Sequence, residues 1–291
     1  MRILNLLSLL PLVQFSAASL AASLPEHEPL SVLVIADAVN PHRLSDSDLT
    51  QPEDLAPALT AADSGLNIGR INTVRSLCID AALAELAGDA KPDVVLYFAH
   101  RGAALCNGDN AQPELTRLLE TGLQNGLGLV VLHHGLYVDF TNRGIKQELL
   151  NLIGAQSDSI EWNTTSGQRV IAVGEHFITR NNLAYTDQYR FAGMDGVAAG
   201  TYPAFTNTPD ELYEITTLNV QPGEQRTALF VTDSGTPRLL GYVLERAGWR
   251  GRVVAWQPGE YQPNALDNRQ GPNFQILANA IYFAATAAGQ E

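Results

Sequence analysis

Gly126-Leu-Gly-Leu-Val-Val-Leu-His-His-Gly-Leu-Tyr137 contains a fully apolar run, Leu129 to Leu132, that stops abruptly at two histidines and a glycine. A short apolar run bounded by glycine and polar residues is the pattern of a strand buried on both faces, as in a parallel sheet covered by helices. In open α/β sheets, ligands bind beyond the carboxyl ends of the strands. His133 and His134 therefore fall where such a protein does its chemistry.

On the amino-terminal side of this run, strands and helices alternate. Leu30 to Ala36 reads as a first buried strand closed by Asp37, and Leu66 to Ile71 as a second. Thr73 is placed to cap a helix from Val74 to Leu86, ended by Gly88. Pro92 to Phe98 is a third strand that runs into His100-Arg101-Gly102, and Pro113 opens an amphipathic helix over Glu114 to Leu123. After Tyr137 a helix from Ile145 to Ile153 stops at Gly154. This alternation predicts an α/β fold with a doubly wound, mostly parallel sheet of the flavodoxin type.

The second half changes character. Short alternating segments recur at Ser159 to Trp162, Arg169 to Val173, Leu212 to Leu218, Thr227 to Thr232, Leu239 to Leu244 and Arg252 to Gln257. They predict a β-rich C-terminal elaboration, an antiparallel extension of the same sheet, with a last helix from Asn273 to Ala287. Residues 30–287 are thus expected to form one domain.

Composition sets the outer limits. The 291 residues are 45% hydrophobic and carry a formal net charge of −13 at pH 7. Such an acidic chain has no broad positive field for a phosphate backbone or an anionic membrane, so neither nucleic acid nor a membrane is expected as a partner. Residues 1–22 read as a signal peptide: Arg2, an apolar stretch from Ile3 to Phe15, then the small residues of Ser19-Leu-Ala21. The expected location is secreted or periplasmic. Cys78 and Cys106 are the only cysteines; the sequence leaves a disulfide and two buried thiols equally open.

Of the six histidines, His42, His100, His133 and His134 each follow closely on a predicted strand. Parallel neighbours bring such strand ends to one rim, where Asp37, Arg43 and Arg101 join them. The sequence holds no G-x-S-x-G elbow, H-E-x-x-H, P-loop or G-x-G-x-x-G after the first strand. What remains is imidazole and carboxylate, which suits general acid/base work or a divalent metal held by nitrogen and oxygen.

The order of motifs resembles the trehalose-utilisation (ThuA-like) family, which has the class I glutamine amidotransferase-like fold. Gly126 to Gly135 is similar to its glycine-rich strand ending in a Gly-Leu-His turn, and Leu150-Asn-Leu-Ile-Gly-Ala155 to the segment that follows. Gly174-Glu-His-Phe-Ile178 resembles its His-Pro-Ile, with Phe177 in place of proline. Asp210-Glu-Leu-Tyr213 matches its Asp-Glu-x-Tyr. Gly251 to Glu260 resembles its Gly-Arg-Val-Phe-Tyr…Leu-Gly-His, with Glu260 in place of the histidine.

The resemblance implies action on a small-molecule carbohydrate, including oxidised (3-keto) glycosides, and not glutamine amidotransfer, because His133 stands where the amidotransferase fold carries its cysteine nucleophile. Strand-end placement and the resemblance together make His133, Glu211, His134 and His100 the candidate catalytic residues, and Asp37, His42, Arg101, Tyr213 and Glu260 the candidate sugar-binding ones. If a divalent metal is the cofactor, His133, His176 and Glu211 are the candidate ligands. Loss of the final histidine at Glu260 points instead to a non-catalytic sugar-binding or scaffold protein.

Overall fold

A computed structural model describes residues 24–37, 52–100, 102–137, 143–155, 160–162, 167–207, 210–214, 222–259 and 271–286. The expected signal peptide and the candidates His42, Arg101 and Glu260 lie outside the described residues.

The first half runs β1 (Leu30–Ala36), α1 (Pro52–Thr60), β2 (Ile68–Arg75), α2 (Asp80–Ala87), β3 (Val94–Tyr97), α3 (Gln112–Gln124), β4 (Gly128–Leu132) and α4 (Arg143–Ile153). The second half runs β5 (Ile160–Trp162), β6 (Arg169–Ala172), α5 (Phe177–Arg180), β7 (Asp187–Phe191), β8 (Gly200–Thr206), β9 (Glu211–Tyr213), β10 (Glu224–Thr232), β11 (Arg238–Arg246), β12 (Val253–Trp256) and α6 (Pro272–Ala285). Ten strands form one sheet in the order β2-β1-β3-β4-β12-β11-β10-β6-β8-β7, and β5 pairs with β9 apart from it. Pairing is parallel from β2 to β12 and antiparallel from β12 to β7. The sheet is thus mixed, with a parallel core, and not mostly parallel: of the six second-half segments expected to extend it, β6, β10 and β11 do so in antiparallel order, β12 joins beside β4 in parallel, and β5 and β9 form the separate pair.

All five residues of β4 are buried. Leu129 and Val131 pack into the cluster that takes in α2, α3 and α4, while Val130 and Leu132 pack into the one that takes in α1, α5 and α6. Successive strand residues point to opposite faces, so an uninterrupted apolar run is what a strand between two helical layers needs. Each such side chain contributes roughly 1.5–3 kcal/mol on burial. Where α6 crosses β4, a Cβ on Gly128 would lie 2.5 Å from the backbone of Ala284; only glycine lets the two approach so closely.

The structure departs from the sequence reading at the junction of β2 and α2 and at β7 and β8. Thr73 does not cap a helix: β2 continues through Thr73 and Val74, paired with Val34 and Ile35, and α2 starts only at Asp80. Both are β-branched and fit the strand. β7 and β8 carry no pattern that the sequence reading caught. Pro203 interrupts β8, and it is tolerated because β6 pairs only with Ala204 to Thr206, leaving β7 alone beside Pro203.

Cys78, in the turn before α2, is disulfide-bonded to Cys106 in the loop after β3. The question left open by the sequence is thereby answered. Among the described residues, no helix is long and apolar enough to cross a membrane.

Candidate active site

Strand direction decides which loops meet. β1, β3, β4 and β12 are mutually parallel. From β12 the antiparallel steps through β11, β10 and β6 make β6 run against β4 and β8 run with it. One rim therefore gathers Asp37 after β1, His100 after β3, His133 and His134 after β4, Gln257 after β12, and Asp210 and Glu211 beyond β8. The order β2-β1-β3 places the switch point between β1 and β3, where an open α/β sheet forms its crevice.

His133 opens a 3₁₀ turn, His133–Leu136, and is one of two non-glycine residues with positive φ, 33°, among those described. Such a backbone costs of order 1 kcal/mol in an L-residue and persists only where its surroundings hold it. Here they do. A Cβ on Gly135 would come within 2.7 Å of the Tyr97 carbonyl oxygen, so the turn sits hard against the end of β3.

The imidazole of His133 is fully buried and held at both nitrogens. Nδ1 is 2.7 Å from the Gln257 main-chain oxygen, and Nε2 is 2.9 Å from the Tyr213 hydroxyl. A carbonyl oxygen only accepts, so Nδ1 carries a proton and donates it. The Tyr213 hydroxyl is in turn 2.7 Å from Glu211 Oε2, while Nε2 itself is 3.6 Å from that oxygen. His133, Tyr213 and Glu211 are all 0% exposed. A phenol brings one proton to its two contacts. With hydrogen bonds on both sides, at least one more proton resides on Nε2, as imidazolium, or on Glu211, as carboxylic acid. The arrangement can therefore store a proton and pass it along His133–Tyr213–Glu211.

Around this line the backbone is clamped. Gln257 accepts from the Tyr213 N–H through Oε1 (2.9 Å) and donates through Nε2 to the carbonyls of Tyr213 (3.1 Å) and Leu239 (3.2 Å). Asp210 accepts from the N–H groups of Glu211 and Gly259. The Tyr213 ring stacks on Tyr137, centroids 5.1 Å apart.

A second group adjoins the first. His134 is buried with its ring centroid 4.6 Å from that of His133 and 5.2 Å from that of His100. Asp37 Oδ2 accepts from the His100 N–H at 2.8 Å and lies 3.8 Å from His134 Nδ1. Beneath both loops the ammonium of Lys146, wholly buried, shares its three N–H groups among the carbonyls of Ala99, His100, His134 and Tyr137, at 3.0–3.2 Å. That one cation ties the loop after β3 to the turn after β4.

The rim thus brings together His133, His134, His100, Glu211, Tyr213 and Asp37. It does not include His176, expected as a metal ligand. His176 follows the carboxyl end of β6, which runs against β4, and lies at the opposite end of the sheet. There it caps α5 by accepting from the Ile178 N–H and packs on Phe283 of α6. The ligand atoms of His133, His134 and Glu211, by contrast, all lie within 4.8 Å of one another, so His134 takes the place that sequence reasoning assigned to His176.

Gln257 and Lys146 were not expected here. Lys146 did leave a signal: at spacings of 3, 4 and 7 residues it shares a helix stripe with the buried Leu149, Leu150 and Ile153. Gln257 left none without the strand order, since only the pairing of Trp256 with Leu132 brings it beside His133.

No protein-family model matches the sequence, and no curated protein does. Solved structures do. A ThuA-like protein from Bacteroides uniformis aligns over 88% of this chain and 93% of its own at 13% identity, with a TM-score of 0.53. A ThuA-like protein from Parabacteroides merdae aligns over 91% and 93% at 14% identity, with a TM-score of 0.49. A glutamine amidotransferase from Methylobacillus flagellatus aligns over 91% and 98% at 10% identity, with a TM-score of 0.45. In fold, the chain is similar to ThuA-like proteins over most of its length.

Proposed function

We propose that the chain is an exported carbohydrate-active enzyme that works by acid/base chemistry at His133, with a small keto-glycoside as substrate. The observation that carries this reading is the unbroken contact line from His133 Nε2 through Tyr213 to Glu211, at 2.9 and 2.7 Å. A ketone acidifies the adjacent C–H. His133 Nε2, neutral when the extra proton sits on Glu211, would take the C–H proton while the C–H electron pair moves into the carbonyl as an enolate. The Tyr213 hydroxyl, released from Nε2, would then donate to the new oxyanion. Elimination or isomerisation follows from the same enolate. The Cys78–Cys106 disulfide and the apolar start of the chain support an oxidising, extracytoplasmic location.

The test is turnover. The purified protein is screened against disaccharides and their 3-keto forms by thermal shift, which registers ligands that bind the folded state, and the hits are assayed with His133→Ala. Unchanged turnover in that variant would falsify the catalytic reading. The complete burial of His133, Tyr213 and Glu211 favours a second reading, a non-catalytic sugar-binding or scaffold protein. That reading predicts ligand-induced stabilisation without turnover.

A further inference from the structure

We propose that the carboxyl rim holds a divalent transition-metal site, zinc being the ion its donors suit best, built from His133, His134 and Glu211. Two imidazoles and one carboxylate form the nitrogen and oxygen set that zinc takes, three protein ligands leaving a fourth position open. The proposal stands apart from the sugar reading, since a bound ion would serve a catalytic or a structural role.

Three observations carry it. First, His133 Nε2 and Glu211 Oε2 are 3.6 Å apart, too far for a direct hydrogen bond; the Tyr213 hydroxyl contacts both, at 2.9 and 2.7 Å, and an ion held by the two would displace it. The Nε2–Oε2 separation is close to the roughly 3.4 Å separating two ligands about 2.1 Å from one tetrahedral ion. Second, the nitrogen of His133 that faces away is held by the Gln257 carbonyl at 2.7 Å. This is the outer contact that fixes the tautomer and ring orientation of a ligating histidine. Third, the charges suit a dication. Glu211 supplies one carboxylate, and Asp37, 3.8 Å from His134 Nδ1, stands behind with another. The opposing cation, Lys146, directs its ammonium into four carbonyl oxygens. The other described group of this kind, Cys78, Asp80 and Cys106, has both sulfurs engaged in the disulfide and offers no thiolate.

Metal and proton compete for the same atoms. Ligating nitrogen and oxygen must be deprotonated, so zinc affinity should fall as the pH is lowered.

The experiment uses the full mature protein, stripped with chelator and titrated with zinc chloride at pH 7. Calorimetry is expected to show one ion per chain, with affinity reduced at least about tenfold in Glu211→Gln and His134→Ala, and no change in His176→Ala. Should the first two variants fail to fold, cobalt(II) added to the unaltered protein must give the intense visible bands of tetrahedral coordination, lost on adding zinc. Absence of binding, equal affinity in Glu211→Gln, or a loss in His176→Ala matching that in His134→Ala overturns the proposal. Metal-free protein whose turnover still falls in His133→Ala overturns the metal's catalytic role and leaves the acid/base reading intact.

Discussion

His133 Nδ1 donates to the main-chain oxygen of Gln257 across 2.7 Å, joining the turn after β4 to the end of β12. Because a carbonyl cannot donate, this contact fixes which imidazole nitrogen faces Tyr213 and Glu211. The Gln257 side chain extends the same clamp to both sides of Tyr213 and to Leu239. Gln257→Leu keeps the volume and the main-chain oxygen but leaves one N–H and two carbonyls without these contacts. Equilibrium urea unfolding should show a loss of about 2–4 kcal/mol. A loss below about 0.5 kcal/mol, the range of ordinary surface changes, would mean that the carboxamide is not a clamp.

Tyr213→Phe separates relay from packing. The ring would keep its stack on Tyr137, centroids 5.1 Å apart at 20°, while the bridge between Nε2 and Glu211 disappears. On any substrate found, kcat should fall about 100-fold, the lower end of what a positioned proton-transfer group contributes. Stability should fall only about 1–2 kcal/mol. A matching stability loss with kcat unchanged would assign Tyr213 to architecture.

Lys146 is predicted to hold the two histidine loops in register. Lys146→Met removes a buried ammonium and leaves the carbonyls of Ala99, His100, His134 and Tyr137 without it. The expected cost is about 3–5 kcal/mol, since breaking a buried charged network by removing one partner carries the full desolvation penalty of what stays behind. Lys146→Arg should not rescue, because a planar guanidinium cannot reproduce a compact ammonium's reach to the four oxygens. Wild-type urea midpoints in either variant would refute the assignment.

The parts of the fold legible in the sequence are those set by local burial. Leu129 to Leu132 reads as a two-faced strand because each residue meets a helical layer, and His133 then follows from strand polarity alone. The acidic pair Asp210-Glu211 was legible as chemistry, but its place on the rim depends on the reversal of β6 and β8. That reversal is non-local and leaves no periodicity. His176 shows the same limit from the other side: it follows a strand just as His133 does, yet its strand runs the other way. The boundary of β2 was obscured because Thr73 is equally good as a cap and as a strand residue, and pairing with Val34 decides between them.

The Cys78–Cys106 bond closes a loop of 28 residues that contains α2 and β3 and the His100 segment. In the chain-entropy picture such a closure contributes about 3–4 kcal/mol. Both cysteines are exposed, so dithiothreitol should reach them without unfolding. Reduced protein, or the Cys78→Ser Cys106→Ser double variant, should lose about that much stability by urea titration. A thiol assay showing two free thiols with no change in midpoint would leave the bond without a stabilising role.

Alkaline pH tests the burial of the core tyrosines. Burial pushes the Tyr97 phenol well above its ordinary value, Asp37 adding to the shift while Gln112 opposes it. Burial likewise raises Tyr242, whose hydroxyl donates to the Ile153 carbonyl. In the unfolded chain both phenols release their protons near pH 10; in the folded protein they keep them to higher pH. Between those limits the native state binds more protons than the unfolded one, so stability falls as pH rises, by about 1.4 kcal/mol per pH unit for each tyrosine. Below about pH 9 the two contribute no slope. Unfolding free energies from pH 8 to pH 11.5 should therefore stay level and then decline at about 2.7 kcal/mol per unit from these two groups. Tyr97→Phe should make the decline shallower by about half of that. A decline equally steep in the variant would show that Tyr97 titrates alike in the folded and unfolded chains.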